Sequence, residues 1–114
     1  MATAGERLKV RSADGAAVID LPSEVDAATE TVLRDAYSEA AAAKGTIALN
    51  FGGVDYINST GIAVIVGILA RARADGHIVR AFGLSDHYRE IFEITRLSDF
   101  MAIFPSESSA LGPR

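Results

Sequence analysis

The chain has no cysteine, which removes disulfide staples, thiol catalysis and thiolate metal sites from consideration. Its two histidines, His77 and His87, stand alone without metal-ligand spacing, so each is read as solvated or as holding one ordinary hydrogen bond. No run of lysine or arginine occurs. Eleven basic residues against 15 acidic ones leave a net charge of −4, and an acidic chain without a basic stripe has no electrostatic footprint for nucleic acid. No apolar run reaches the roughly 20 residues that a membrane-spanning helix needs. The most hydrophobic one, residues 61–70, is followed by Arg71 and Arg73 and reads as a buried core helix. The first ten residues, MATAGERLKV, hold no apolar leader core, so a cytoplasmic location is expected and membrane insertion is not. No Gly-x-x-x-x-Gly-Lys phosphate loop is present, and no serine has a histidine with an evident route to it. Neither catalysis nor a cofactor is expected.

What is present is an ordinary apolar fraction, 49% of 114 residues. A chain of that length buries roughly two-thirds of its unfolded surface in one core. A single domain over residues 1–114 is therefore expected, with its core at about 6–105 and a tail at 106–114. Two short apolar runs, Leu8–Val10 and Ala16–Leu21, flank the turn pair Asp14-Gly15 and predict a hairpin. A helix follows, with Val32, Leu33, Ala36, Tyr37 and Ala40 at helical spacing, Asp26 as its N-cap and Gly45 as its end. Residues 46–51, TIALNF, suit a central buried strand. A second helix is expected to run from the Asn-Ser-Thr-Gly stretch to Gly76. On it Ile62, Ile65, Val66 and Leu69 form one face, and Ala63, Gly67, Ala70 and Ala74 form a small-residue face for close approach of another element. HIVRAFG reads as a strand, DHYREIFEIT as a helix with Tyr88, Ile91 and Phe92 inward, and FMAIF as a last strand. The tail, with Ser106, Ser108 and Ser109, either forms a short helical turn or frays. This order predicts an α/β fold with a mixed sheet of four or five strands and helices mainly on one face.

The chemistry concentrates in residues 55–69, DYINSTGIAVIVGIL, where two hydroxyls and an amide sit at the mouth of the most hydrophobic helix. Asn58 or Ser59 can cap that helix by accepting a hydrogen bond from an unpaired backbone N–H, with Thr60 in its first turn. The same position also suits a modifiable hydroxyl. A phosphate on Ser59 would meet free N–H groups and the positive end of the helix dipole, so the domain would tolerate the charge and its effect would fall on whatever docks there.

Residues 54–62, VDYINSTGI, resemble the motif V-x-[FY]-[MI]-D-S-[ST]-G-[LI] of STAS domains of the bacterial anti-sigma-factor antagonist type, departing from it at Asn58. Three further segments resemble that family. PSEVDAAT is similar to the loop carrying its Glu-hydrophobic-Asp, here Glu24 and Asp26. ADGHIVRAFGLS is similar to a family strand, and YREIFEITRLSDFMAIFPS to the C-terminal helix and strand, with Arg96 where the family usually has glycine.

The resemblance implies a STAS fold and a partner-switching phosphoprotein in transcription regulation, with Ser59 as the phosphorylated residue. Asn58, Thr60, Gly61, Glu24 and Asp26 lie on the partner-contact surface by the same resemblance. It further implies that the unphosphorylated protein binds a serine kinase of the histidine-kinase-like ATPase fold that doubles as the anti-sigma factor, releasing a sigma factor. Phosphorylation blocks that binding, and a metal-dependent PP2C-type phosphatase restores it. A STAS interaction module in a stressosome-like, transporter-associated or other signalling assembly is the alternative. A nucleotide-binding module is a third reading, without a base- or ribose-recognition motif behind it.

Overall fold

The computed structural model describes residues 7–43 and 45–111; the expectations for the first six residues and the last three lie outside them. Strands β1 (Lys9–Ala13) and β2 (Ala16–Asp20) form the predicted hairpin. Asp14 and Gly15 both take positive φ, 52° and 82°, the left-handed pair that a two-residue turn requires if it is to match the strand twist. Then come β3 (Glu24–Val25), α1 (Thr29–Ala41), β4 (Thr46–Asn50), β5 (Tyr56–Ile57), α2 (Ser59–Asp75), β6 (Val79–Phe82), α3 (Asp86–Ile94), a 3-10 turn (Leu97–Asp99), β7 (Ala102–Phe104) and α4 (Glu107–Leu111). The main sheet has the order β1-β2-β4-β6-β7. β1 is antiparallel to β2 and every other pair is parallel. The expected mixed sheet is thus present, and of the four or five strands expected it has five. A small parallel ladder of β3 with β5 stands apart from it; a pair of two-residue strands is too short to give a period that sequence could show. Among the described residues no helix is long and apolar enough to cross a membrane.

Alternation along the inner strands divides the apolar residues between two cores. Ala17, Ile19, Ile47, Leu49, Val79 and Ala81 join residues of α1, α2 and α3, among them Leu33, Tyr37, Ile65 and Phe92, in the main core. Ala16, Val18, Ala48 and Phe82 face the other way and are covered by Ala110 and Leu111. The tail therefore forms a helix that seals the second face of the sheet. Two arginines fix it there. Arg11 of β1 makes paired hydrogen bonds to Asp20 (3.0 and 3.1 Å) and to Glu107 (both 2.9 Å), and Arg80 of β6 donates to the Ala110 carbonyl at 2.8 Å.

Three local expectations are corrected. Asp26 is not the N-cap of α1, because the helix begins at Thr29 and its cap position, Ala28, has no side-chain cap. Asp26 Oδ1 instead accepts from the Ala28 N–H at 3.0 Å, closing the turn before the helix. Gly45 does not end α1, which stops at Ala41. A Cβ at Gly45 would come within 2.7 Å of the Gly15 carbonyl oxygen, so that glycine lets two turns approach. On α2 the buried stripe is Gly61, Ile65, Ile68, Leu69 and Ala72, while Ala63, Gly67, Ala70 and Ala74 are exposed. Nothing lies within 4 Å of where a Gly67 Cβ would sit, and Val66 is 45% exposed. With nearly every residue from 61 to 70 apolar, several faces satisfy the helical period equally, and packing against the sheet and α1 selects among them.

Hydrogen bonds from Arg11 hold the Glu107 carboxyl below its ordinary range. Burial pushes Asp20 up, but hydrogen bonds from Arg11 and Asn50 outweigh it and lower that carboxyl as well. A carboxyl lowered by folding stabilises above its unfolded pKa and loses that contribution as the pH falls through the folded value. Acidification below the ordinary carboxylate range is therefore expected to loosen α4 first, and Glu107→Gln to do so at neutral pH. Hydrogen exchange is the check: the Ala110 amide should exchange faster while those of Ile47 and Leu49 stay protected.

Candidate functional site

The Asn-Ser-Thr-Gly stretch joins β5 to α2 at the carboxyl end of β4. Asn58 has extended backbone, φ −90° and ψ −178°, and is the cap of α2. Its Oδ1 accepts from the Gly61 N–H at 2.8 Å and from the Thr60 hydroxyl at 2.7 Å. Of the two capping candidates the structure thus selects Asn58. Ser59 is the first residue of α2 and exposed. Among the described residues its hydroxyl has no hydrogen-bond partner, whereas that of Thr60 is committed to Asn58. The neighbouring hydroxyls therefore differ in availability.

Gly61 meets a steric demand that its helical conformation alone does not reveal. A Cβ there would overlap the Val25 carbonyl and come within 3.1 Å of Ile57 Cγ2, so the first turn of α2 lies directly on the backbone of β3. The same Val25 carbonyl accepts from the Asn58 N–H at 3.2 Å. One turn before, the Ser23 carbonyl accepts from the N–H groups of Asp55 and Tyr56 at 2.7 and 3.1 Å. These bonds draw the loop of Glu24 and Asp26, on either side of Val25, against the start of α2. Two segments separated by about 30 residues of sequence become one surface.

That surface is acidic at its edges and supported from below. Glu24 and Asp55 are exposed, and Asp26 is half-buried, its Oδ1 holding the Ala28 N–H and lying 3.3 Å from the Thr29 hydroxyl. Thr29 is buried and accepts from the Asp26 N–H at 3.0 Å, which fixes the loop from inside. Under β5, the Tyr88 hydroxyl accepts from the Ile57 N–H at 2.9 Å and is 3.4 Å from the Ile57 carbonyl. Ser85 caps α3 by accepting from the Tyr88 N–H at 3.2 Å and so places that phenol. Val25, Thr29, Ser85 and Tyr88 are supporting residues that the sequence reading did not assign to the site. Of these, Ser85 carried the signal of a cap, a serine just before an amphipathic run, Tyr88 that of an inward-facing helical residue, and Val25 that of the hydrophobic position between Glu24 and Asp26.

Arg96 lies apart from these residues. It takes the left-handed conformation, φ 68° and ψ 15°, which accounts for glycine being the usual residue in the pattern it departs from. Its exposed guanidinium pairs with Asp99 at 2.7 Å. Among the described residues no group of three or more His, Asp or Glu side chains could hold a metal ion.

Comparison with known proteins bears on the family and the fold. The family model for the STAS domain matches residues 7–110. The anti-sigma-B factor antagonist of Listeria monocytogenes is 34% identical over 86 residues, covering 75% of each chain. A crystal structure of an anti-sigma factor antagonist from Mycobacterium paratuberculosis superposes with a TM-score of 0.76 at 18% identity, over 91% of this chain and 89% of that one. The Bacillus cell-fate determinant SpoIIAA in its phosphorylated form superposes with a TM-score of 0.66 at 21% identity, over 90% and 95%. At these identities the two superpositions establish the fold.

The packing of α2 on β3 has a direct test. Gly61→Ala must push the Val25–Asp26 loop away and is expected to cost about 1–3 kcal/mol, the usual penalty for overpacking. Gly67→Ala, on the open face of the same helix, should be neutral or stabilising by up to about 1 kcal/mol. Urea denaturation of the two variants checks the contrast.

Proposed function

The chain belongs to the STAS-domain family, and we propose that within it this protein is an anti-sigma-factor antagonist whose binding is switched off by phosphorylation of Ser59. The observation that carries this reading is the asymmetry at the start of α2: an exposed, unpartnered Ser59 hydroxyl beside a Thr60 hydroxyl already bonded to the cap. The unphosphorylated surface, made of Asn58, Ser59, Thr60 and Gly61 with Glu24 and Asp26 alongside, docks on a serine kinase of the histidine-kinase-like ATPase fold that is also the anti-sigma factor. The sigma factor is thereby released. This protein acts as binding partner and kinase substrate, in the cytoplasm, and a PP2C-type phosphatase resets it.

The physical effect of the phosphate is local. It adds about −1.5 to −2 charge at a helix N-terminus, where N–H groups and the dipole favour it. The fold has no reason to open. The docking surface, however, already carries Glu24, Asp26 and Asp55, and Asn58 contributes no charge of its own. A partner shaped to the neutral hydroxyl then meets a doubly charged group that it must desolvate. Asn58 in place of the family aspartate keeps the cap and leaves less like-charge repulsion beside the phosphate, so phosphorylation here meets a smaller electrostatic penalty than it would beside an aspartate.

Two measurements test the switch. In calorimetry against the kinase-fold anti-sigma factor, Ser59→Asp should bind at least tenfold more weakly than wild type with an unchanged melting temperature; equal affinity contradicts the reading. Because Asn58 and not Ser59 is the cap, Ser59→Ala should fold with wild-type stability to within about 0.5 kcal/mol, bind normally and refuse phosphate. With kinase and ATP, mass spectrometry of the tryptic fragment ending at Arg71 should place the phosphate on Ser59, whereas phosphate on Thr60, or full incorporation by Ser59→Ala, contradicts it.

A further inference from the structure

The cap of α2 keeps one polar group in reserve. Asn58 Oδ1 accepts from the Gly61 N–H at 2.8 Å and from the Thr60 hydroxyl at 2.7 Å. A backbone N–H can only donate, so the atom it meets is the amide oxygen and not the nitrogen. The Nδ2 of the same amide then lies on the other side of Cγ, with two N–H donors and no hydrogen-bond partner among the described residues. An aspartate at this position would keep the oxygen that caps the helix and put a second, charged oxygen where Nδ2 stands. The departure of this chain from the family motif thus preserves the cap and turns one atom beside Ser59 from an acceptor into a donor.

The surroundings of Ser59 make that atom count. Its Cα is about 3.8 Å from that of Asn58, and it is the exposed first residue of α2. Among the described residues the N–H groups of Ser59 and Thr60 have no partner, as the start of a helix leaves them, whereas those of Gly61 and Ile62 are taken by the Asn58 side chain and carbonyl. The amide does not turn over freely, because a flip would break its bonds to both Gly61 and Thr60. The nearby charges are of the wrong sign to hold a phosphate: Glu24 and Asp26 on the β3 loop and Asp55 ahead of β5. The first turn of α2 has no acidic residue. From α3 come the Tyr88 hydroxyl, bonded to Ile57, and the exposed His87, whose ring lies 4.9 Å from that of Tyr88.

We infer that Asn58 binds the phosphate it flanks: Nδ2 donates to a phosphate on Ser59 and, with the free N–H groups of Ser59 and Thr60, holds its dianion against the first turn of α2. The inference rests on the reading of Ser59 as the phosphoacceptor and adds the group that fixes the charged state. Hydrogen bonds to the dianion favour it over the monoanion, and a carboxylate in place of Nδ2 would do the reverse. The phosphate in this chain is therefore drawn onto its own helix and stays doubly charged to lower pH than it would beside an aspartate.

The test uses the full chain with phosphoserine placed at position 59 during translation by amber suppression. No kinase is needed, so a wrong choice of acceptor would show in the mass spectrometry above and not here. Phosphorus NMR, titrated between about pH 4 and 8 around the second ionisation of the phosphate, should give the lowest apparent pKa for wild type. Asn58→Ser, which keeps a capping oxygen without the amide, should lie higher and Asn58→Asp higher still, about 0.5 pH or more above wild type. The Asn58 side-chain amide resonances should move with the phosphate. Asparagine, serine and aspartate are comparable caps, so the unphosphorylated variants should melt alike, and the order of the three should persist with His87→Gln. Equal values for wild type and Asn58→Ser, with only Asn58→Asp raised, would reduce the effect to charge repulsion and overturn the donor role. Equal values for all three, Asn58 amide resonances that ignore the titration, or loss of the order with His87→Gln would overturn it too.

Discussion

The carbonyl of Val25 is the point on which the functional end of the molecule depends. It accepts from the Asn58 N–H and lies under Gly61, where any side chain would displace it. Together with the Ser23 carbonyl and the β3–β5 ladder, that group joins the β3 loop, the β5 strand and the first turn of α2 into a single surface. Tyr88 secures it from α3 by meeting both polar groups of Ile57. Buried backbone groups left unpaired cost free energy, so each of these bonds is also a reason for the loops to stay where they are.

The sequence made the order of elements legible because each boundary carried its own chemistry. Asp14-Gly15 gave the hairpin, Gly76 the end of α2 with its left-handed φ of 80°, and residues 46–51 a strand too apolar and too short for anything but the middle of a sheet. The capping stretch was legible as a helix start, though whether Asn58 or Ser59 did the capping was open until the hydrogen bonds were known. What sequence could not carry was contact between distant residues. Arg11 and Glu107 are 96 positions apart, and nothing local marks either as half of a clamp. For the same reason the sequence leaves open whether the tail forms a helical turn or frays, and the burial of Ala110 against the sheet decides for the helix. On α2, Ile65 and Leu69 are buried and Ile62 packs against the core as expected, whereas Val66 and the small-residue face are exposed for a different cause. Where almost all residues are apolar the period carries no direction, and the sheet decides which of them are covered.

The two ends of α2 differ in chemistry. Its N-terminus presents the free Ser59 hydroxyl beside the Asn58 cap, with carboxylates around it. Its C-terminus presents Arg73 over the exposed ring of Phe100. Between them the helix is anchored by Ile65, Ile68, Leu69 and Ala72, which leaves its outer face, with Val66 and Gly67, in solvent.

The central claim is that charge at Ser59 changes the surface of a scaffold that does not itself move. Backbone amide chemical shifts of wild-type and Ser59→Asp protein, recorded without any partner, test it most directly. The account predicts differences confined to residues 56–62 and the adjoining Glu24–Asp26 loop, with unchanged resonances for Ile47–Leu49, Val79–Phe82 and Ala110. Differences spread through the sheet or into the C-terminal helix would mean that the charge acts by rearranging the fold, and would contradict it.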